Sequence, residues 1–310
     1  MVSKIILATL TFLLNAGALL TAQPRLLADS LLAHIEELSS NKYEGRRTAE
    51  PGNLLAGEYI LQRFRAFGLE AFDSIYVQPF SYYSRWQKQR YDGRNIIGYI
   101  KGSEFPDRYI VLSAHYDHLG KREEGIYNGA DDNASGTCAL MEMARYFSSR
   151  RPPRHSIIFA AFDAEELGLR GADHFLDEPP VPLERILLNI NMDMISRNEK
   201  EELYVVGTGY NPFLRAPVEK LGQDCPLTIS FGHEIPEPSR QDDWTMASDH
   251  GKFHQKNIPF LYFGVEDHED YHKPTDDYER IMPRFYTQAA EFILETLLYL
   301  DGNWEKLVGR

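Results

Sequence analysis

The groups that could do chemistry in this chain stand where its apolar runs stop. Tyr109 to Ala114 leads into His115-Tyr116-Asp117-His118, and Ser156 to Phe162 into Asp163-Ala164-Glu165-Glu166. Ile186 to Met192 meets Asp193, and Ile258 to Val265 meets a run of acids that ends in Tyr271-His272. A further carboxylate pair lies in Asn128-Gly129-Ala130-Asp131-Asp132-Asn133-Ala134-Ser135-Gly136, just before a helical pattern. Imidazole and carboxylate donors without thiolates suit zinc or a similar divalent ion. A single catalytic zinc takes three protein ligands and keeps one position open. The candidates here exceed three, which points to two ions sharing a bridging group.

Elements of matching length surround these residues. Short runs at Asn95 to Ile100, Tyr109 to Ala114, Ser156 to Phe162, Ile186 to Met192, Leu203 to Val206 and Ile258 to Val265 read as strands. Several are almost continuously apolar, as strands buried on both faces are. Helical periodicity marks Ser30 to Leu38, Leu54 to Phe67 with Gly68 as its stop, Gly136 to Phe147, Ala247 to Gln255 and Phe285 to Leu300. The alternation predicts an α/β fold: one domain over residues 23–310 with a sheet sandwiched between helices. In open α/β sheets ligands collect beyond the carboxyl ends of the strands, which is where the histidines and acids fall.

Composition narrows the function classes. Forty-six acidic residues against 33 basic ones argue against a nucleic-acid partner, because phosphate binding needs clustered Lys and Arg. Cys138 and Cys225 are the only cysteines, too few for a disulfide framework or a thiolate zinc site; one disulfide or two separate thiols remain open. Met1 to Ala22 carries Lys4, an apolar run from Ile5 to Leu20 and a small residue at Ala22, the pattern of a secretory signal peptide. Thr9, Thr11, Asn15 and Gly17 interrupt the run, which argues against a membrane anchor. The expectation is an exported protein, periplasmic or extracellular, without stable membrane insertion.

Taken together, the motifs resemble those of the co-catalytic zinc exopeptidases, the secreted bacterial aminopeptidases related to glutamate carboxypeptidase and, more distantly, to glutaminyl cyclase. The matching residues are His115-Tyr116-Asp117, Gly129 to Gly136, Glu165 to Gly171, Asn191-Met192-Asp193-Met194, Ser248-Asp249-His250 and Tyr271 to Asp276. The resemblance implies a largely parallel mixed sheet and two Zn2+ per chain, one held by His115 and Asp193, the other by Glu166 and His272, with Asp132 bridging. Asp132 is preferred to Asp131 because the family ligand lies four residues before the motif's last glycine, here Gly136. The resemblance also implies a cis peptide between Asp132 and Asn133, Glu165 as general base, and Asp117 and Asp249 as carboxylates orienting the metal-bound groups. Peptides would be the substrates, cut at the amino end. A glutaminyl cyclase-like aminoacyltransferase, working with one zinc, is the alternative on the same scaffold.

Each motif alone has a plainer reading. Glu165-Glu166 could be the acidic first turn of a helix, and Gly129 to Gly136 an ordinary turn with Ser135 as N-cap. His34, His155, His174 and His233 fit no motif, and Tyr82, Tyr83, Trp86 and Trp244 could line a pocket or pack in the core. One competing pattern, His268-Glu269-Asp270-Tyr271-His272, matches the H-E-x-x-H of single-zinc proteases, with a downstream acid such as Glu291 as third ligand. That motif needs a helix, and Pro274 beyond the second histidine opposes one.

Overall fold

The architecture comes from a computed structural model that describes residues 26–85, 88–150, 152–234 and 242–309. The expected signal segment and Trp86 lie outside the described residues. Ten strands and seven α-helices are described. The strands are β1 (Val77–Ser84), β2 (Gln89–Ile100), β3 (Phe105–His115), β4 (Gly120–Arg122), β5 (Gly125–Tyr127), β6 (His155–Phe162), β7 (Ile186–Met192), β8 (Glu202–Val206), β9 (Thr228–Phe231) and β10 (Phe260–Gly264). The helices are α1 (Ala28–Leu38), α2 (Pro51–Ala66), α3 (Gly136–Ser148), α4 (Arg170–Asp177), α5 (Arg215–Gly222), α6 (His250–Gln255) and α7 (Pro283–Leu307).

Eight strands form one mixed sheet in the order β1-β2-β6-β3-β7-β10-β8-β9, and β4 and β5 make a separate hairpin. The central strands β6, β3, β7 and β10 run parallel, with β2 and β8 antiparallel beside them. Every residue of β6 and β7 is buried, as their largely apolar runs indicate. Strand alternation sends Ile157, Phe159 and Ala161 to the layer containing α1, α2, α3 and α7, and Ile158, Ala160 and Phe162 to the layer of α4 and α6. The sheet is therefore covered on both faces.

The helices expected from periodicity are all present, and α2 ends as its sequence indicates. Gly68 adopts φ +73° just past the last turn, and the N–H of Leu69 reaches back to the Phe64 carbonyl at 3.1 Å. α7 starts at Pro283, which needs no amide donor in a first turn. β1, β9, α4, α5 and the small hairpin are additions to the sequence-based set. β1 is an edge strand carrying Pro79 and a mixed burial pattern, and α4 and α5 are eight residues each, too short for a periodic signal. Cys138 and Cys225 are both free thiols.

Candidate metal centre

The parallel central strands deliver their carboxyl ends to one rim of the sheet. His115 is the last residue of β3, and Asp193 directly follows β7. Glu165 and Glu166 stand in the turn between β6 and α4, where Gly168 and Leu169 both donate their backbone N–H to the Glu165 carbonyl, at 2.7 and 2.8 Å. α4 begins only at Arg170, so the glutamates are not in its first turn. Asp132 lies in the kinked turn of residues 130–135 that feeds α3, and the peptide between Asp132 and Asn133 is cis. Ser135 makes no side-chain cap; its hydroxyl donates to the Asp131 carbonyl at 2.7 Å. His272 sits in the turns after β10 with φ +54°.

These side chains converge. His115 Nε2 is 3.3 Å from Asp193 Oδ1 and 3.5 Å from Asp132 Oδ1. His272 Nε2 is 3.1 Å from Asp132 Oδ2 and 3.6 Å from Glu166 Oε1. The two oxygens of Asp132 thus face two different donor sets, the geometry of a bridging carboxylate. Glu165 Oε2 lies on the His115 side, 4.0 Å from its Nε2.

The site's chemistry fits divalent cations. Glu166 Oε1 and Asp193 Oδ1 are buried without hydrogen-bond partners, an arrangement that costs free energy unless another group satisfies them. Burial drives the Glu165 carboxyl well above its usual range; His115 opposes the shift, and the nearby charges of Glu166, Asp193 and Asp249 add to it. Burial likewise raises Asp193, against the pull of His115. Asp132 goes the other way: burial pushes it up, but His118, His272 and His115 together hold it below the ordinary carboxylate range. His115 is raised despite its burial, chiefly by Asp193 and Glu165. Crowded acids facing a few imidazoles are what cations would neutralise.

Asp117 lies beside His115 Nδ1, with its carbonyl at 3.2 Å and Oδ1 at 3.6 Å. Its carboxylate accepts the backbone N–H groups of Glu165 and Glu166, at 3.0 and 3.3 Å. Asp249 is fully buried, with neither carboxylate oxygen hydrogen-bonded; burial raises it to about 8, His115 opposing and Asp117 and Asp193 adding. His118, next to the His115-Tyr116-Asp117 motif and given no role from sequence, is also in the cluster, with Nδ1 2.9 Å from Glu166 Oε1.

Further buried polar residues hold the loops that carry the cluster. The buried Arg46 guanidinium donates to the carbonyls of Tyr116, Leu38, Asn128 and Gly129, tying the His115 and Asp132 loops together. Asp163 accepts from Thr48, Asn53, Tyr116 and the Arg94 backbone, and Thr48 also reaches Asp117 at 3.3 Å. Asp276, in the segment that carries His272, accepts the backbone N–H groups of Asp131 and Asp132. Local sequence places Asp163 beside Glu165-Glu166 and Asp276 beside His272, whereas Arg46, Thr48 and Asn53 stand far from every motif.

The single-zinc alternative fails on geometry. Residues 265–277 contain no helix. His268 Nε2 lies 3.1 Å from Asp131 Oδ2, while Asp131 Oδ1 accepts from the Ser196 backbone and hydroxyl. Glu269 is exposed and pairs with Arg280 and Arg197, and Glu291 accepts the backbone N–H of Leu26.

A cavity of about 340 Å³ opens over the cluster. His115, Asp132, Glu165, Glu166, Asp193 and His272 form its floor, and Leu169, Met194, Trp244, Met246 and Val265 supply apolar wall. Tyr262, Tyr271 and Asp267 add polar groups. Trp244, left undecided by sequence, both lines this cavity and packs near Tyr204 and Tyr262.

Comparison with known proteins places the chain in a family. The chain is 34% identical over 215 residues to aminopeptidase YwaD of Bacillus subtilis, covering 64% of this chain and 43% of that one. It is 43% identical over 156 residues to a glutamate carboxypeptidase 2 homolog of Caenorhabditis briggsae, covering 48% of this chain and 17% of the relative. The chain therefore spans less than half the length of these relatives. Among solved structures, the aminopeptidase from Aneurinibacillus sp. strain AM-1 superposes with a TM-score of 0.73 at 16% identity, covering 89% of this chain and 94% of that one. Porphyromonas gingivalis glutaminyl cyclase gives 0.71 at 18% identity, covering 88% and 98%. At such identities the likeness is one of fold. The model of Peptidase family M28 matches residues 95–297, a span that contains the whole cluster, and the chain belongs to that family.

Proposed function

We propose that this chain is an exported, zinc-dependent aminopeptidase that uses two cations and Glu165 as general base. The observation that carries the reading is the division of Asp132, with Oδ1 toward His115 and Oδ2 toward His272. His115, Asp193 and Asp132 would hold one cation, and Glu166, His272 and Asp132 the other. Bound there, the ions would acidify water and polarise the scissile carbonyl. Glu165 takes the proton of the attacking water and returns it to the leaving amine. Asp117 keeps that turn in place through the two backbone N–H groups it accepts.

Charge in the cavity favours attack at the amino end. Asp267 is a wall carboxylate outside the proposed ligand set, and none of the described lining residues is Lys or Arg. A free α-ammonium group finds a counter-charge in Asp267, whereas none of the described lining residues offers a Lys or Arg to pair with a terminal carboxylate. The apolar wall of Trp244, Met246 and Leu169 suits an uncharged first side chain. Export rests on the leader-like pattern of residues 1–22 and is checked by fractionating cells that express the full chain.

An activity panel of N-terminally free, N-blocked and glutaminyl peptides, run on wild type and Glu165→Gln, tests the reaction. Release of the first residue from free peptides alone, lost in the variant with zinc retained, is the expected result. Cleavage of blocked peptides from the carboxyl end, or conversion of glutaminyl peptides to the cyclised product without hydrolysis, would refute it.

A further inference from the structure

His118 lies past the end of β3, three positions after His115, and its ring is fully buried with neither nitrogen hydrogen-bonded. An imidazole is not left in that state without cost. Nδ1 lies 2.9 Å from Glu166 Oε1 and 3.6 Å from Asp132 Oδ2. Those are the same two oxygens that face His272 Nε2, and Glu166 Oε1 itself has no hydrogen bond. The two rings stand 5.9 Å apart at 61°.

The backbone makes room for this ring. Gly129 adopts φ +54°, and a Cβ there would come within 2.5 Å of the His118 ring. The His118 backbone N–H is fixed by the Arg46 carbonyl at 3.3 Å. The position of the imidazole is thus set by the loop that carries Asp132 and by the residue that clamps it.

We propose that His118 is a direct ligand, through Nδ1, of the cation shared by Asp132, Glu166 and His272. The inference rests on the two-cation reading and divides labour between the sites. With His118, one cation has two imidazoles and two carboxylates, a full tetrahedral set that makes it a holding site. The other has His115, Asp193 and Asp132, three protein ligands with a position left for water or the substrate carbonyl. Glu165 stands on that second, open side, where a base is needed.

The test uses the full chain with histidine nitrogens labelled and a spin-active cadmium isotope in place of zinc. Through-bond coupling of cadmium to a nitrogen of His115, His118 and His272 is expected, with the His118 signal identified by its loss in His118→Asn. That variant should also weaken binding of one cation by at least about 10- to 100-fold, the loss that even an outer-shell partner of a ligand produces. An unchanged melting temperature of the metal-free variant would attribute that loss to coordination. Two cadmium ions per chain with no coupling to His118 would overturn the proposal and leave the two-cation reading standing. Binding of a single cadmium would overturn both.

Discussion

Asp117 Oδ1 accepts the backbone N–H of Glu165 at 3.0 Å. A carboxylate two residues beyond one proposed ligand therefore fixes the turn that carries the proposed base, so the two strand ends are set as one unit. Asp117→Asn replaces one acceptor oxygen with a donor that faces N–H groups. Turnover should fall about 10- to 100-fold, while zinc content measured on the purified variant stays near that of wild type. Full activity in the variant would remove Asp117 from the account.

Arg46 is entirely buried, and its guanidinium donates to carbonyls of three separate segments. Arg46→Met leaves those carbonyls unpaired in the interior, at about 3 kcal/mol of lost stability or more. Denaturant melts of the metal-free protein measure it, and a loss below about 1 kcal/mol would contradict the role assigned to this side chain.

His250 is fully buried between Phe260 and Tyr262, and its Nε2 is 2.8 Å from the Trp244 carbonyl. Burial lowers its pKa from 6.5 to about 3, with the Trp244 carbonyl opposing. Between those values the unfolded chain holds a proton that the folded chain does not. Stability contributed by the neutral ring is therefore whole above about pH 6.5 and drains away as the pH falls toward 3, by up to ~1.4 kcal/mol per pH unit. In metal-free His250→Phe the slope of stability against pH in that window should shrink by about one proton's worth. An unchanged slope, read from melts at stepped pH, would show that His250 is protonated in the fold.

Glu269 is exposed and shares Arg280 and Arg197 with Asp270. Surface ion pairs of this kind contribute ~0–1 kcal/mol, so Glu269→Gln should keep its peptidase rate within about twofold. A dead enzyme would revive the single-zinc pattern of His268 to His272.

Much of this is legible in the sequence, for identifiable reasons. The central strands are buried on both faces, so their apolar runs mark them, and residues after those runs must share one rim of a parallel sheet. The cis peptide after Asp132 also lies where the motif resemblance placed it. His118 is visible at the end of its apolar run, one residue past the motif, but only the fold shows its ring pointing at Glu166 and Asp132. Arg46 and Thr48 lie on the segment between α1 and α2, and Asn53 in the first turn of α2; the approach of that stretch to the rim is encoded by no periodicity. The H-E-x-x-H match illustrates the converse. Its spacing has meaning only on a helix, and the turns around Pro274 place His268 on Asp131 instead.

The most direct test of the account is anomalous diffraction at the zinc edge from crystals of the zinc-loaded chain. Two peaks about 3.5 to 4 Å apart are expected, one beside Asp132 Oδ1 with His115 and Asp193, the other beside Oδ2 with Glu166 and His272. A single peak, or peaks away from Asp132, would contradict it.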